Sequence, residues 1–167
     1  TGGDIYLGVV GAVRTGKSTF IKKFIENLVV PNIEDEYERK RCLDEIPQTA
    51  QGKTIMTIEP KFVPSTAAKI KVEEFETNIK LVDCVGYVIP AAKGYEDEMG
   101  EPRMVKTPWY DEDIPFVEAA EIGTEKVIRD HSTIGIVVTT DGSIGDITRN
   151  NYIEAENEVI SELKEIG

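Results

Sequence analysis

Apolar residues recur along this chain with two periods, and the alternation between them predicts strands and helices in turn. Residues 4–10 contain Ile5-Tyr6-Leu7-Gly8-Val9-Val10, a run without polar alternation, as in a strand buried on both faces of a parallel sheet. Phe20, Ile21, Phe24, Ile25, Leu28 and Val29 return every three or four positions. That spacing predicts a helix over 18–30 with one apolar face, stopped by Pro31. Residues 34–46 are strongly charged and predict an exposed helix ended by Pro47, and the polar, threonine-rich 48–58 reads as loop. Short strands follow at 60–64, 70–75 and 78–84, the last two forming a hairpin whose second strand turns apolar at Ile79-Lys80-Leu81-Val82. Residues 87–116 carry Pro90, Pro102, Pro108 and Pro115 without a period, a loop long enough to be functional or disordered. A helix over 118–130, a buried strand over 133–140 and an amphipathic helix over 152–165 complete the chain. This order predicts an α/β fold, doubly wound around a mostly parallel sheet with one antiparallel hairpin.

The first junction carries chemistry. Between the first strand and the first helix stands Gly11-Ala12-Val13-Arg14-Thr15-Gly16-Lys17-Ser18, the G-x-x-x-x-G-K-[ST] pattern of a phosphate-binding loop. Gly11 and Gly16 let the backbone turn tightly and aim successive N–H groups into one anion-sized concavity. Lys17 would reach the β- and γ-phosphates, the Ser18 hydroxyl could ligate Mg²⁺, and the helix start adds a positive dipole end. Gly11 to Thr19 are therefore candidate nucleotide-binding positions.

A second signal closes the hairpin strand: Asp83-Cys84-Val85-Gly86. An aspartate at the carboxyl end of a sheet strand sits where ligands bind and can hold Mg²⁺, while a glycine three residues on lets a backbone N–H approach the γ-phosphate. Between loop and aspartate, Gly52-Lys53-Thr54-Ile55-Met56-Thr57 is the candidate γ-phosphate sensor, with Thr57 preferred over Thr54 as catalytic and metal-binding hydroxyl. Tyr87 follows Gly86, where many switch nucleotidases place a water-orienting glutamine. Arg14, inside a loop that resembles that of the guanylate-binding-protein family, is a candidate arginine finger in cis. The alternative for Arg14 is a solvated or ion-paired side chain. His131 reads as structural, Trp109 and Tyr110 as packing residues, and Asp141-Gly142 as a turn.

Composition narrows the partners. A net charge of −12 opposes a nucleic-acid surface, and the acidic runs read as solvated faces. No apolar run approaches the ~20 residues of a spanning helix, and no signal peptide is visible. Cys42 and Cys84 are far apart without metal-ligand spacing, which predicts two free thiols in a reducing cytosol.

With loop, sensor segment and Asp-x-x-Gly in this order, the chain resembles the translation-factor-like (TRAFAC GTPase-like) class of P-loop NTPases. Residues 1–24 and 52–57, with Leu81-Val82-Asp83-Cys84-Val85-Gly86-Tyr87, Lys93-Gly94-Tyr95-Glu96-Asp97-Glu98 and Thr107-Pro108-Trp109-Tyr110, resemble the stage IV sporulation protein A family more specifically. That family comprises the spore coat morphogenetic ATPases of endospore-forming bacteria. The resemblance implies a GTPase-like fold that hydrolyses ATP with Mg²⁺ and assembles into a static homopolymer. It places that polymer at the outer forespore membrane, facing the mother-cell cytoplasm. It implies Lys17 as loop lysine, Asp83 as Walker B-type aspartate and Thr57 as sensor; Ile58 stands where the family has a second threonine. Binding of a small amphipathic membrane-anchoring peptide and of other coat proteins is implied for regions beyond this chain. Residues 1–167 are expected to be one P-loop domain, a fragment of a longer protein without its base-reading segment. A reversible GTPase switch and a nucleotide-stabilised scaffold without turnover remain the alternatives at this point.

Overall fold

In the computed structural model, residues 3–47, 58–92, 94–143 and 145–166 are described. Strand β1 (Asp4–Val10) is the central element, parallel to both neighbours: β3 (Phe75–Asp83) on one side and β6 (Ile134–Val137) on the other. Strand β2 (Lys61–Val72) runs antiparallel to β3, so the sheet order is β2-β3-β1-β6. The mostly parallel sheet with one antiparallel hairpin is as expected.

Both faces of the sheet are covered, which is why β1 lacks polar alternation. Leu7 and Val9 point to a core built with Ile21, Ile25 and Val29 after β1, with Cys42, and with Ile79 and Leu81 of β3. Val10 and Val82 point to the other side, into a core with Val127, Ile128, Tyr152, Ala155 and Val159. Helices α1 (Lys17–Phe24) and α2 (Glu36–Asp44) thus lie on one face, α3 (Phe116–Asp130) and α4 (Ile153–Ile166) on the other.

Four expectations are corrected. The first helix is α-helical only to Phe24; it continues as a π-turn, Ile25–Val29, and a 3₁₀ turn, Val30–Asn32, that contains Pro31 rather than stopping before it. The apolar face survives the change of pitch, since Ile25 and Val29 remain buried. The segments 60–64 and 70–75 are not separate strands: β2 runs unbroken from Lys61 to Val72, with a register shift between Val63 and Ala68. Pro64 falls in that irregularity of an edge strand, where a missing N–H costs no ladder bond. Residues 133–140 are not a buried strand, for β6 is the sheet edge and Ile134 is 52% exposed. Finally, 87–116 is more than loop. Strands β4 (Met104–Val105) and β5 (Ile114–Pro115) pair antiparallel, and Val105 and Ile114 pack with Tyr95 onto Phe116 of α3.

Candidate functional site

The carboxyl ends of β1 and β3 bring the two sequence motifs together. After Val10 the chain turns at Gly11, where a Cβ would lie 2.4 Å from the Val138 carbonyl oxygen at the end of β6. The turn then passes through Arg14 and Gly16, both left-handed at φ 60° and 94°, before α1 begins at Lys17. Inside this loop the Ala12 carbonyl accepts two hydrogen bonds, 2.9 Å from Thr15 Oγ1 and 2.6 Å from Lys17 Nζ. Lys17 is only 5% exposed, so its ammonium is folded back beneath the loop rather than extended to solvent. Burial pulls its pKa below the usual lysine value, while the neighbouring Cys84 and Asp83 act in the opposite sense.

Asp83 is the last residue of β3 and lies in register with Val9 of β1 and Lys61 of β2. Its Oδ2 accepts a 2.8 Å hydrogen bond from Ser18 Oγ, a contact across 65 residues of chain. Its Oδ1 is buried and has no hydrogen-bond partner among the described residues. Burial pushes the carboxyl above its usual pKa, opposed by the Ser18 hydrogen bond and by Lys17. A buried carboxylate oxygen left without a donor, beside a hydroxyl, fits a hard cation. Among the described residues no three His, Cys, Asp or Glu converge on one point. A cation here would take its other ligands from water and phosphate, as Mg²⁺ commonly does.

Gly86 seals the site's floor. At φ 90°, its missing Cβ would stand 2.1 Å from the Gly11 carbonyl oxygen and 2.6 Å from Lys17 Nζ, so only glycine fits. The next residue clamps the two segments: Tyr87 N donates to Gly11 O (3.2 Å) and Tyr87 O accepts from Val13 N (2.8 Å). The Val13 N–H is therefore committed to Tyr87.

Arg14 and Thr19 are exposed, and Arg14's charge bears on Tyr152 beside α4. Thr54 and Thr57 lie outside the described residues. Asp141 Oδ1 accepts from Ser143 N and Oγ at 2.9 and 2.6 Å, a turn as expected. His131 stands edge-on to Phe62 at 5.4 Å between centroids, and the Trp109 ring packs near Gly123 and under Lys126. Tyr110 is half-exposed rather than packed. Sequence reasoning missed Thr15 as a brace of the loop and Cys84 as Lys17's buried neighbour. It also missed that the Tyr87 side chain leaves the site, its hydroxyl donating to Glu162 of α4. Only Tyr87 had a signal, its place directly after Gly86.

Comparison with known proteins gives the family. The family description "Stage IV sporulation protein A, ATPase domain" matches residues 1–167. Stage IV sporulation protein A of Bacillus anthracis and that of Bacillus subtilis (strain 168) are each 70% identical over 168 residues, covering all of this chain. The protein of the same name from Clostridioides difficile (strain 630) is 58% identical over 167 residues, 99% of the chain. The chain spans about a third (34%) of the length of each of these relatives. No solved structure matches it. With a family match over its whole length and relatives this similar, the chain belongs to the stage IV sporulation protein A family, in its ATPase domain.

Proposed function

We propose that this chain is a P-loop NTPase unit of the translation-factor-like class that hydrolyses ATP with Mg²⁺. We propose further that hydrolysis drives self-assembly into a static polymer, the basement layer of the spore coat at the outer forespore membrane in the mother cell. The observation that carries the reading is the Ser18–Asp83 hydrogen bond, with Asp83 Oδ1 unpartnered and buried Lys17 close by.

Lys17 would exchange its bond to the Ala12 carbonyl for phosphate oxygens, which leaves the ammonium paired at no further desolvation cost. The N–H groups at the start of α1 add donors and a positive dipole end. Ser18 and Asp83 would hold the metal, and Gly86 admits the terminal phosphate close to the loop. Held there, Mg²⁺ would supply neutralisation of the phosphates' negative charge. Water would attack the γ-phosphorus as the β–γ anhydride breaks, and ADP, inorganic phosphate and the water's proton would leave. Arg14, exposed on the loop, would swing over the β–γ bridge to stabilise its charge, and Thr57 would sense the γ-phosphate. Tyr87, turned away toward α4, leaves no glutamine-like side chain to orient the water, which fits slow turnover suited to a one-way assembly step.

Sedimentation of the intact protein tests the assembly half. With ATP and Mg²⁺ it should pellet as polymer, and with a non-hydrolysable ATP analogue it should stay in the supernatant. Equal pelleting with the analogue would contradict the coupling of hydrolysis to assembly.

A further inference from the structure

Tyr87 joins three parts of the molecule. Its backbone bonds to Gly11 and Val13 tie the segment after Asp83 to the loop. Its side chain, 5% exposed, crosses the core beneath the loop, and the phenol donates to Glu162 Oε1 on α4. The other carboxylate oxygen of Glu162 is buried with no partner among the described residues, so the phenol is the donor that offsets this group's desolvation. Glu121 and Glu158 add negative charge near the phenol and give Glu162 no alternative donor. On the far side of the clamp, Gly86 stands against the Gly11 carbonyl and Lys17 Nζ with no room for a methyl group. A small shift of Tyr87 is thus a shift of Gly86 against the lysine.

We infer that Tyr87 is a positioning residue: its hydroxyl, held by Glu162 of α4, fixes the Gly86–Tyr87 backbone against the loop and sets Gly86 beside Lys17. The inference rests on the hydrolytic reading of the site, but the tie itself can be read without nucleotide. Where a glutamine at this position would act on the water, this tyrosine acts on the frame. Its effect belongs in turnover, because a misplaced Gly86 spoils the arrangement needed in the transition state more than ground-state binding.

Two measurements on the intact protein decide it. In hydrogen exchange without nucleotide, Tyr87→Phe and Glu162→Leu should each speed exchange of the Val13 and Tyr87 amides, and Glu162→Gln, which keeps an acceptor, should not. In steady-state hydrolysis, Tyr87→Phe and Glu162→Leu should each lower kcat about tenfold while KM for ATP changes less than about twofold. Glu162→Gln should retain kcat, and the double variant should be no worse than either single one. Unchanged exchange in both Tyr87→Phe and Glu162→Leu overturns the inference whatever the turnover. So does raised exchange with wild-type kcat, or a Glu162→Gln variant as impaired as Glu162→Leu. If Tyr87→Phe fails to fold, the two Glu162 variants decide the matter alone. Wild-type protein that releases no more phosphate than Lys17→Ala would instead sink the hydrolytic reading, with the exchange result still deciding for or against the tie.

Discussion

Gly86 shows how narrowly single residues are constrained here. Its φ of 90° and the Gly11 carbonyl at 2.1 Å from the absent Cβ leave no room for any side chain. Gly86→Ala should cost about 1–3 kcal/mol of stability, as a left-handed strain with a clash does. It should also abolish turnover, because the methyl group would come within 2.6 Å of Lys17 Nζ and displace it. Thermal unfolding paired with a phosphate-release assay checks both. Wild-type turnover in that variant would mean that Gly86 does not border the reacting phosphate. Gly11, Gly16, Lys17, Ser18 and Asp83 were legible in the sequence as candidates, because the pattern that marks them depends on residue type and spacing. Thr15 stood among the candidates only as a loop position; its brace to the Ala12 carbonyl, like the buried Cys84 thiol beside Lys17, exists only after folding.

At the scale of elements, legibility followed burial. Strand β1 and helices α3 and α4 lay close to their expected bounds, since each carries a long apolar pattern that only one packing satisfies. The hairpin was harder: Pro64 and the small residues after it look like a break, yet an edge strand absorbs them in a register shift. Strand β6 was misread as buried because its Ile-Gly-Ile-Val run fits a central strand equally well. Helix α2 was expected to be exposed, yet it buries one residue, Cys42, whose thiol is pushed up to about 11, mainly by burial and next by Glu45. An acid whose folded pKa is raised binds its proton more tightly when folded. Its stabilisation is full below the unfolded value of 9.0 and is lost as pH rises through about 11. Other groups titrate in that range, Lys17 in the opposite sense, so the difference between proteins isolates the effect. Denaturant unfolding from pH 8 to 11 should show a steeper loss of stability in the wild type than in Cys42→Ala. Parallel slopes would contradict a buried, raised thiol at this position.

For the molecule as a whole, the double-wound sheet explains why two motifs 65 residues apart in sequence meet. β1 and β3 are adjacent and parallel, so their carboxyl ends, and the loops that leave them, lie side by side. The expectation of a mostly parallel sheet left the order of its strands open, and the adjacency of β1 and β3 comes from the structure. The ordered hairpin of β4 and β5 within 87–116 was not, because its pairing rests on two short strands with no periodic signal. Among the described residues no helix is long and apolar enough to cross a membrane.

Phosphate release from the intact protein, with ATP and GTP side by side and Lys17→Ala as the blank, tests the central claim most directly. The account predicts release from ATP with Mg²⁺, little from GTP, and none above background in Lys17→Ala. Release from GTP in preference to ATP, or equal release in the Lys17→Ala protein, would contradict it.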